Sequence, residues 1–178
     1  MAEREHVIPI SLKPVHDFLN SADRTDSPSA LGAWLLSNGL LSKPARVSQV
    51  EYQLALELRA GFRELALANN GYEPEPHLVA ELRWLLRQFP LTVQPLAAAE
   101  NMLAPNETRP VMAAFGHIVT GYALAVATGE WQRLRRCPAE DCGKVFWDSS
   151  AKAARRWCDM RTCGNRAKAR AFADRKRG

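Results

Sequence analysis

The sequence predicts a mainly helical α+β protein: a helical amino-terminal domain with a few short strands, followed by a small module that contains every cysteine. Three long stretches repeat apolar residues at helical spacing, for example Leu54, Leu58 and Phe62, which favours amphipathic helices. Stretches with strand preference are short, and Pro95 limits the one at 91–96 to a sheet edge. A chain of 178 residues that is 47% hydrophobic is long enough to build a core of its own.

The order of the elements follows from the prolines, the glycines and the apolar repeats. Pro14 starts the first short helix, and Asn38 with Gly39 ends the second. Ser48 and Glu51 have the spacing of a capping box, which marks the start of the first long helix. In chain order we expect a strand at 7–12, helices at 14–19, 29–37, 48–68 and 76–89, an extended segment at 91–96, a helix at 106–127 and a strand at 131–136.

The cysteines are spaced as two pairs, C-x4-C-x15-C-x4-C. Their positions are Cys137, Cys142, Cys158 and Cys163. Each pair offers two thiolates from one tight turn, and the insert between the pairs lets the two turns face each other around one tetrahedral metal. Four sulfur ligands suit zinc or an iron centre, and no other feature of the sequence indicates redox chemistry. We therefore expect one structural Zn²⁺ held by these four residues.

Three other uses of the cysteines fit less well. The amino terminus is charged and lacks the apolar stretch of a signal peptide, so a disulfide framework is not expected. Neither pair is the C-x-x-C of a dithiol redox site. A catalytic zinc needs an open coordination position, and four thiolates leave none.

The residues around the cysteines predict a knuckle, a hairpin and a helix in that order. Gly143 lets the backbone fold back under the metal, and residues 144–148 are aromatic and β-branched, as in a short returning strand. Residues 164–176 are rich in Ala, Lys and Arg and favour a helix. This order is that of a treble-clef zinc finger. Because no flexible linker precedes the finger, we expect it to sit against the body.

Charge divides the chain into two parts. Residues 131–178 hold 14 Lys and Arg against 5 Asp and Glu, a net charge of +9, whereas residues 1–130 carry −4. A mildly acidic body with a basic zinc-bound tail is typical of a protein whose tail meets a polyanion. Because no apolar run approaches a membrane span, and because reduced cysteines are free to bind metal, we expect a cytoplasmic protein.

The cysteine segment resembles the CGNR-type zinc finger, which is named for the run Cys163-Gly164-Asn165-Arg166. The rest of the match is Cys137-Pro138, Cys142-Gly143, Phe146-x-Asp148 and Arg155-Arg156-Trp157-Cys158. In that family the finger follows an ABATE domain, and the front of this chain resembles one at Asp17-Phe18-x-Asn20, Trp34-Leu35, Gly39-Leu40 and Leu58-Arg59. The resemblance implies two domains, 1–130 and 131–178, and a bacterial transcription regulator that binds double-stranded DNA.

The last helix carries most of the predicted DNA contacts. We expect Arg166 and Arg170, one turn apart, to project outward and read guanine, while Ala169 and Phe172 turn toward the hairpin. We expect Asn165 to cap the helix. The full set of predicted nucleic-acid-binding residues is Arg155, Arg156, Arg166, Lys168, Arg170 and Arg175.

Two other interpretations of this basic run remain open. It can be a solvated face that keeps the protein soluble, or part of a zinc-stabilised module that binds RNA or an acidic protein surface instead of specific DNA. The amino-terminal domain is a candidate for sensing a small-molecule effector or for forming a homodimer, since one small finger rarely suffices for a specific site.

An enzyme is not expected. The four histidines are scattered and do not pair with a nucleophile or a carboxylate at any recognisable spacing, and the sequence has no glycine-rich phosphate loop. Residues 20–28 predict a solvated loop. Asp17 and Asn20 are interpreted as helix-capping residues, and Arg59 as a member of a structural ion pair.

Overall fold

A computed structural model describes residues 8–177 and confirms the predicted fold class: helices dominate, and the few strands are short. Within that range the chain forms two antiparallel two-stranded ribbons, β1 with β2 and β3 with β4. The elements are α1 (Lys13–Leu19), α2 (Pro28–Ser37), α3 (Gln49–Ala68), α4 (Pro76–Leu86), β1 (Leu91–Val93), β2 (Leu103–Pro105), α5 (Pro110–Ala127), β3 (Leu134–Arg136), β4 (Val145–Trp147) and α6 (Asn165–Arg177).

Helix α3 is the central element of the body, and its sequence accounts for its position. The predicted capping box is present, with Ser48 accepting a hydrogen bond from the Glu51 N–H while the Glu51 carboxylate accepts one from the Ser48 N–H. Leu58 and Phe62 from its apolar stripe are fully buried. Helix α4 packs along α3, and α1 packs between α3 and α5. Val50 is exposed in the first turn, so the predicted stripe is wrong at that end.

Helix α5 is the most apolar element of the body. It has 18 residues and is long and apolar enough to cross a membrane by length and composition, but most of it lies buried inside the core. The helix begins at Pro110, four residues later than predicted, because proline suits a first turn and the Glu107 carboxylate accepts hydrogen bonds from the N–H groups just before it. A Cβ at Gly121 would lie 2.4 Å from the Ser11 carbonyl oxygen, so this glycine permits the close approach of α5 to the start of α1.

Two predicted strands are wrong in whole or in part. Val7 lies outside the described residues. Residues 8–12 contain no strand: residues 10–12 form a turn, and the N–H groups of Leu12 and Lys13 donate to the Pro9 carbonyl. Residues 131–133 form a 3₁₀ turn, so only the second half of the strand predicted at 131–136 exists as β3. The aromatic ring of Trp131 explains this turn, because it packs edge-on against Tyr122 of α5 at 4.8 Å.

The loop after α1 is more buried than predicted. Ser21 and Thr25 are fully or almost fully inaccessible, and their hydroxyl oxygens accept hydrogen bonds from Arg59 of α3 at 3.2 and 2.7 Å. Arg59 also donates to the Phe18 carbonyl and stacks on the Phe18 ring. The predicted ion pair of Arg59 is therefore wrong, since the guanidinium is held by neutral oxygens. This burial lowers the pKa of Arg59 below its ordinary value.

The hairpin β3–β4 belongs to two cores at once. Successive side chains of a strand point to opposite faces, so Val145 and Phe146 project in opposite directions. Val145, with Leu134 of β3, lies in the main core of the body. Phe146 lies in a second, small core with Cys137 and Cys163. The hairpin is therefore the element through which the cysteine module and the body share packing.

Side chains of the body also hold this hairpin by its backbone. The Asn20 side-chain amide donates to the Val145 carbonyl at 2.9 Å and accepts from the Val145 N–H at 3.0 Å, as a neighbouring strand would. Arg63 of α3 bridges the Leu19 and Gly143 carbonyls at 2.8 and 2.7 Å. Asn20 was expected to cap α1, and its larger role is this contact.

The carboxyl end of α3 makes a second set of contacts with the module. The Asn69 amide donates to the Trp131 and Leu134 carbonyls, and the Asn70 amide donates to the Arg136 and Arg156 carbonyls, all within 3.0 Å. Glu64, which is almost completely buried, pairs with Arg136 at 2.6 Å. These contacts confirm that the module sits against the body. The boundary predicted at 130/131 stays a prediction, and packing crosses it.

We predict that Asn20→Ala destabilises the chain by on the order of 2 kcal/mol, because it leaves the Val145 N–H and carbonyl without partners. Urea unfolding measures the loss, and hydrogen exchange at the Val145 amide should show reduced protection. Asn106→Ala is the matched control, since Asn106 is exposed and should leave both measurements unchanged. Unchanged protection at Val145 in Asn20→Ala would contradict the contact.

Candidate metal centre and basic helix

The four cysteine sulfurs converge as the spacing predicts. Their Sγ atoms all lie within 4.8 Å of one another, with Cys142 to Cys158 at 3.5 Å and Cys158 to Cys163 at 3.7 Å. Sulfurs bound tetrahedrally to one zinc at ~2.3 Å are separated by about 3.8 Å, so the cluster has the size of a four-thiolate site. The distances are far longer than an S–S bond, and all four cysteines are free. The donor set therefore fits a single metal ion.

The first pair sits on a tight turn after β3. The Cys137 N–H donates to the Lys144 carbonyl at 2.8 Å, which closes the hairpin, and the N–H groups of Cys142 and Gly143 both donate to the Ala139 carbonyl. Gly143 has φ of +58°, a left-handed conformation that favours glycine, as predicted for the knuckle. Its carbonyl is the one that Arg63 of α3 holds, so the body positions the first knuckle directly.

The second pair leads into α6 without a break. Asp159 accepts a hydrogen bond from the Thr162 N–H at 2.9 Å and caps a π-helical turn, Met160–Gly164, which carries Cys163 and continues into α6. Asn165 has helical dihedral angles, φ −68° and ψ −38°, inside this continuous helical run. The prediction that Asn165 caps the helix is therefore wrong. The cap lies six residues earlier, at Asp159, because the helical run begins with the π-helical turn that contains Cys163.

The thiols have unequal proton affinities. Burial raises the pKa of Cys137 and, together with hydrogen bonds to the neighbouring thiols, that of Cys158. Burial also raises the pKa of Cys163, but hydrogen bonds from Arg166 and from nearby thiols outweigh this effect and lower it to about 7. Arg166 approaches the Cys163 sulfur at 3.5 Å. The Arg166 guanidinium therefore favours the thiolate form of Cys163.

Asp148 organises the segment between the two pairs. Its side chain is completely buried, and its carboxylate accepts hydrogen bonds from the N–H and hydroxyl of Ser150 and from the Arg155 N–H, with Arg135 at 3.7 Å. Burial acts to raise the pKa of Asp148, but the bonds from Ser150 and Arg155 outweigh it and lower the pKa below its usual value. From the sequence, Asp148 was named only within Phe146-x-Asp148, and no buried role was predicted for it. The feature of the sequence that could have indicated this role is a single acidic residue directly after an apolar strand.

Two of the predicted DNA contacts have internal partners. The Arg155 guanidinium donates to the Trp157 and Cys158 carbonyls and lies 5.1 Å above the Phe146 ring. The Arg156 guanidinium donates to the Tyr72 hydroxyl and stacks on both Tyr72 and Trp157. Arg155 thus holds the second cysteine pair against the hairpin, and Arg156 joins the module to the body.

Arg166 and Arg170 lie on the side of α6 that faces the first knuckle, although about half of each side chain remains exposed. Arg166 pairs with Asp141 at 2.5 Å, and Arg170 lies 3.5 Å from Asp141 and 3.6 Å from Glu140. The predicted arrangement, with these cations outward and Phe172 inward, is wrong in its orientation. The knuckle that contains Glu140 and Asp141 packs against this side of α6. The opposite side of the helix therefore faces solvent.

The opposite side of α6 forms the outward face, defined here as Arg161, Asn165, Lys168, Phe172, Arg175 and Lys176. Helical spacing places these residues on one side, and every one of them is exposed. Phe172 is 64% exposed and Ala169 is exposed as well, so neither packs on the hairpin as predicted. Among the residues that the structure describes, the four cations of this face have no ion-pair partner. Lys168 and Arg175, from the predicted set, belong to it.

Comparison with known protein families agrees with this two-part organisation. A model of the ABATE family, described as "Putative stress-induced transcription regulator", matches residues 12–136, which is more than half of the chain. The chain belongs to the ABATE family. A second model, the CGNR zinc finger, matches residues 133–176. No curated protein matches the chain. The two models meet at β3, in the hairpin that both cores share, so this ABATE protein carries its four-cysteine finger directly on the body.

We predict that Cys158→Ser abolishes stoichiometric metal binding, because one sulfur of four is lost. Metal binding supplies folding free energy on the order of 10 kcal/mol to such modules, so hydrogen-exchange protection should disappear from the knuckles and α6. Helices α3 and α5 should keep their protection, since their core lies in the body. Elemental analysis and hydrogen exchange measure the two effects.

Ala154→Ser is the matched control for this variant, because it adds a hydroxyl at an exposed position of the same segment. It should retain the metal. A Cys158→Ser protein that keeps one metal per chain with an ordered α6 would show that the ligand set is wrong.

We predict that Asp148→Asn destabilises the finger by on the order of 2 kcal/mol at neutral pH. The amide has nearly the same shape, but it replaces one acceptor oxygen with a donor that faces N–H groups or a hydroxyl. Protection at the Arg155 amide should fall in hydrogen exchange, while Asp159→Asn, at an exposed turn, should change it little. Equal behaviour of the two variants would contradict the role assigned to Asp148.

Proposed function

We propose that this ABATE protein is a cytoplasmic DNA-binding transcription regulator whose finger holds one structural Zn²⁺ and presents the outward face of α6 to double-stranded DNA. The observation that carries the proposal is the outward face itself: four exposed cations without ion-pair partners in the described chain, on a module whose four cysteine sulfurs converge. The family description supports a role in transcription.

Zinc is the metal that the donor set favours. Four sulfur ligands in a tetrahedron suit zinc, and the element order of knuckle, hairpin and helix is that of a treble clef. Four thiolates on one Zn²⁺ leave a local charge of about −2. Arg166 stands next to this charge and so compensates it. The cations of the outward face are then left to act on an external partner.

Duplex DNA fits the dimensions of this surface. A helix of 13 residues is about 20 Å long, and the major groove admits an α-helix. A helix in the major groove has phosphates on both sides, and three cations of the outward face are placed to contact them: Lys168, Arg175 and Lys176. Contacts between cations and phosphates supply most of the non-specific affinity for DNA. Arg166 and Arg170 are held by the knuckle acids, so we assign them to orienting α6 rather than to reading bases.

The body then determines how the finger is presented. The contacts of Asn20, Arg63, Asn69 and Asn70 leave the finger no freedom to swing independently. A ligand or a second subunit that alters α1 or α3 would therefore change the orientation of α6. This is how the amino-terminal domain would act as sensor or dimerisation unit in the proposed regulator, and no enzymatic step is needed.

We predict that Lys168→Ala with Arg175→Ala weakens binding to random-sequence duplex by on the order of 10- to 100-fold at moderate salt. The plot of log K against log salt should become shallower by about 2, since two phosphate contacts are lost. Fluorescence anisotropy between about 50 and 200 mM salt gives both quantities. Metal content should not change, because neither residue touches the cysteines.

Arg83→Ala with Arg87→Ala is the charge-matched control, as both arginines are exposed on or just after α4 in the body. This variant should bind duplex DNA like the unmodified protein. Equal losses in both variants would indicate a non-specific effect of net charge. Binding of single-stranded RNA or of an acidic protein without binding of duplex DNA would replace the proposed function with that of an interaction module.

A further inference from the structure

We propose that Phe172 is a base-contacting residue that recognises the C5-methyl group of thymine in the major groove. This inference rests on the proposed DNA binding and deepens it, because the cations of the outward face supply affinity but carry no sequence information. Phe172 supplies a contact that depends on the base.

The exposure of Phe172 is exceptional within this chain. The sequence has six phenylalanines, and the other five have at most 6% of their surface exposed, whereas Phe172 is 64% exposed. Its helix, α6, has no buried side chain in its length, so no core is available to the ring. An apolar ring left in water on a strongly polar helix indicates a surface that another molecule covers.

The neighbours of the ring identify the chemistry of that molecule. Lys168 lies one turn before Phe172, and Arg175 and Lys176 lie one turn after it, all exposed on the same side of the helix. The partner must therefore present negative charge on both sides of an apolar spot. The major groove of a duplex has this pattern, since phosphates line its edges and the thymine methyl projects from its floor.

The shape of the helix agrees with this partner. Ala169 lies one turn before Phe172, is exposed, and borders the outward face with a small side chain. Small side chains let the helix backbone approach the floor of the groove closely, so the ring reaches the base edges. Apolar contact with the thymine methyl is an established way for side chains, including Phe, to read this base.

Two other partners fit the face less well. A second copy of the chain on the same face would bring Lys168, Arg175 and Lys176 against equivalent cations, and like charges at an interface oppose association. A lipid surface takes helices with a broad apolar face, and the outward face has a single large apolar residue.

The test compares two duplexes that differ only in the methyl group. One is an alternating A·T duplex of about 20 base pairs, and the other is the same duplex with every thymine replaced by deoxyuridine; the charge and the hydrogen-bonding groups are the same. The full-length, metal-loaded protein should bind the thymine duplex about fourfold tighter, which is the effect of burying one methyl group. Phe172→Ala should bind both duplexes equally.

Phe172→Leu is the control that keeps an apolar side chain, and it should retain part of the preference for thymine. Equal affinity of the unmodified protein for the two duplexes, or a preference that persists in Phe172→Ala, would overturn the inference. Self-association that Phe172→Ala abolishes, with no methyl preference, would also overturn it in favour of a second copy.

These outcomes differ from a failure of the proposed function. If the unmodified protein binds neither duplex at low salt, DNA binding itself is absent and the inference falls with it. If duplex binding depends on Lys168 and Arg175 but is indifferent to the methyl group, the proposed function stands and only the role of Phe172 is wrong.

Discussion

The pleat of the β3–β4 hairpin is the constraint on which the rest of the structure depends. Val145 and Phe146 are adjacent in sequence and lie on opposite faces, so one strand contributes to the core of the body and to the core beneath the cysteines. A rotation of the hairpin would remove residues from both cores. The orientation of the metal centre relative to the helices is therefore determined by packing and not only by the chain connection at β3.

The polar contacts around the hairpin reinforce this orientation, and they come from residues whose local roles look ordinary. Asn69 and Asn70 end α3, which is the usual position of asparagine, yet their amides reach four carbonyl groups of the finger segment. Glu64 and Arg136 form a partly buried pair, and removal of Arg136 would leave the buried Glu64 carboxylate without its charged partner. The finger is therefore held against α3 by hydrogen bonds and an ion pair as well as by packing.

The sequence predicted those features that depend on local spacing. The convergence of the four cysteines was predicted from the two equal short intervals between them. The long helices were predicted from apolar periodicity, and the start of α3 was predicted from Ser48 and Glu51. The strand predicted at 7–12 is wrong over residues 8–12, where a local turn forms at Pro9. The orientation of α6 was predicted wrongly because it depends on contacts distant in sequence. Which side of α6 faces solvent is decided by the knuckle that carries Glu140 and Asp141, about 25 residues earlier, and spacing within the helix contains no information about it. The same reason explains the error at Asn165, because the helical run begins earlier, at the turn that brings Cys163 to the other three cysteines.

The distribution of charge on α6 has a physical reason. Four thiolates on the proposed Zn²⁺ would carry about −2, and Glu140 and Asp141 add negative charge on the same side of the helix. Arg166 and Arg170 face this region, so their charges are largely balanced within the molecule, and exposed pairs of this kind add little stability. Three cations of the outward face have no such partners in the described residues: Lys168, Arg175 and Lys176. Their electrostatic field therefore extends into solvent. A count of basic residues in the finger therefore overestimates its attraction for a polyanion, because Arg166 and Arg170 are balanced within the molecule. The unpaired cations of the last helical run lie on its outward face. Phe172 lies in the middle of that face, which is why the ring and the unpaired cations are best explained by a common partner.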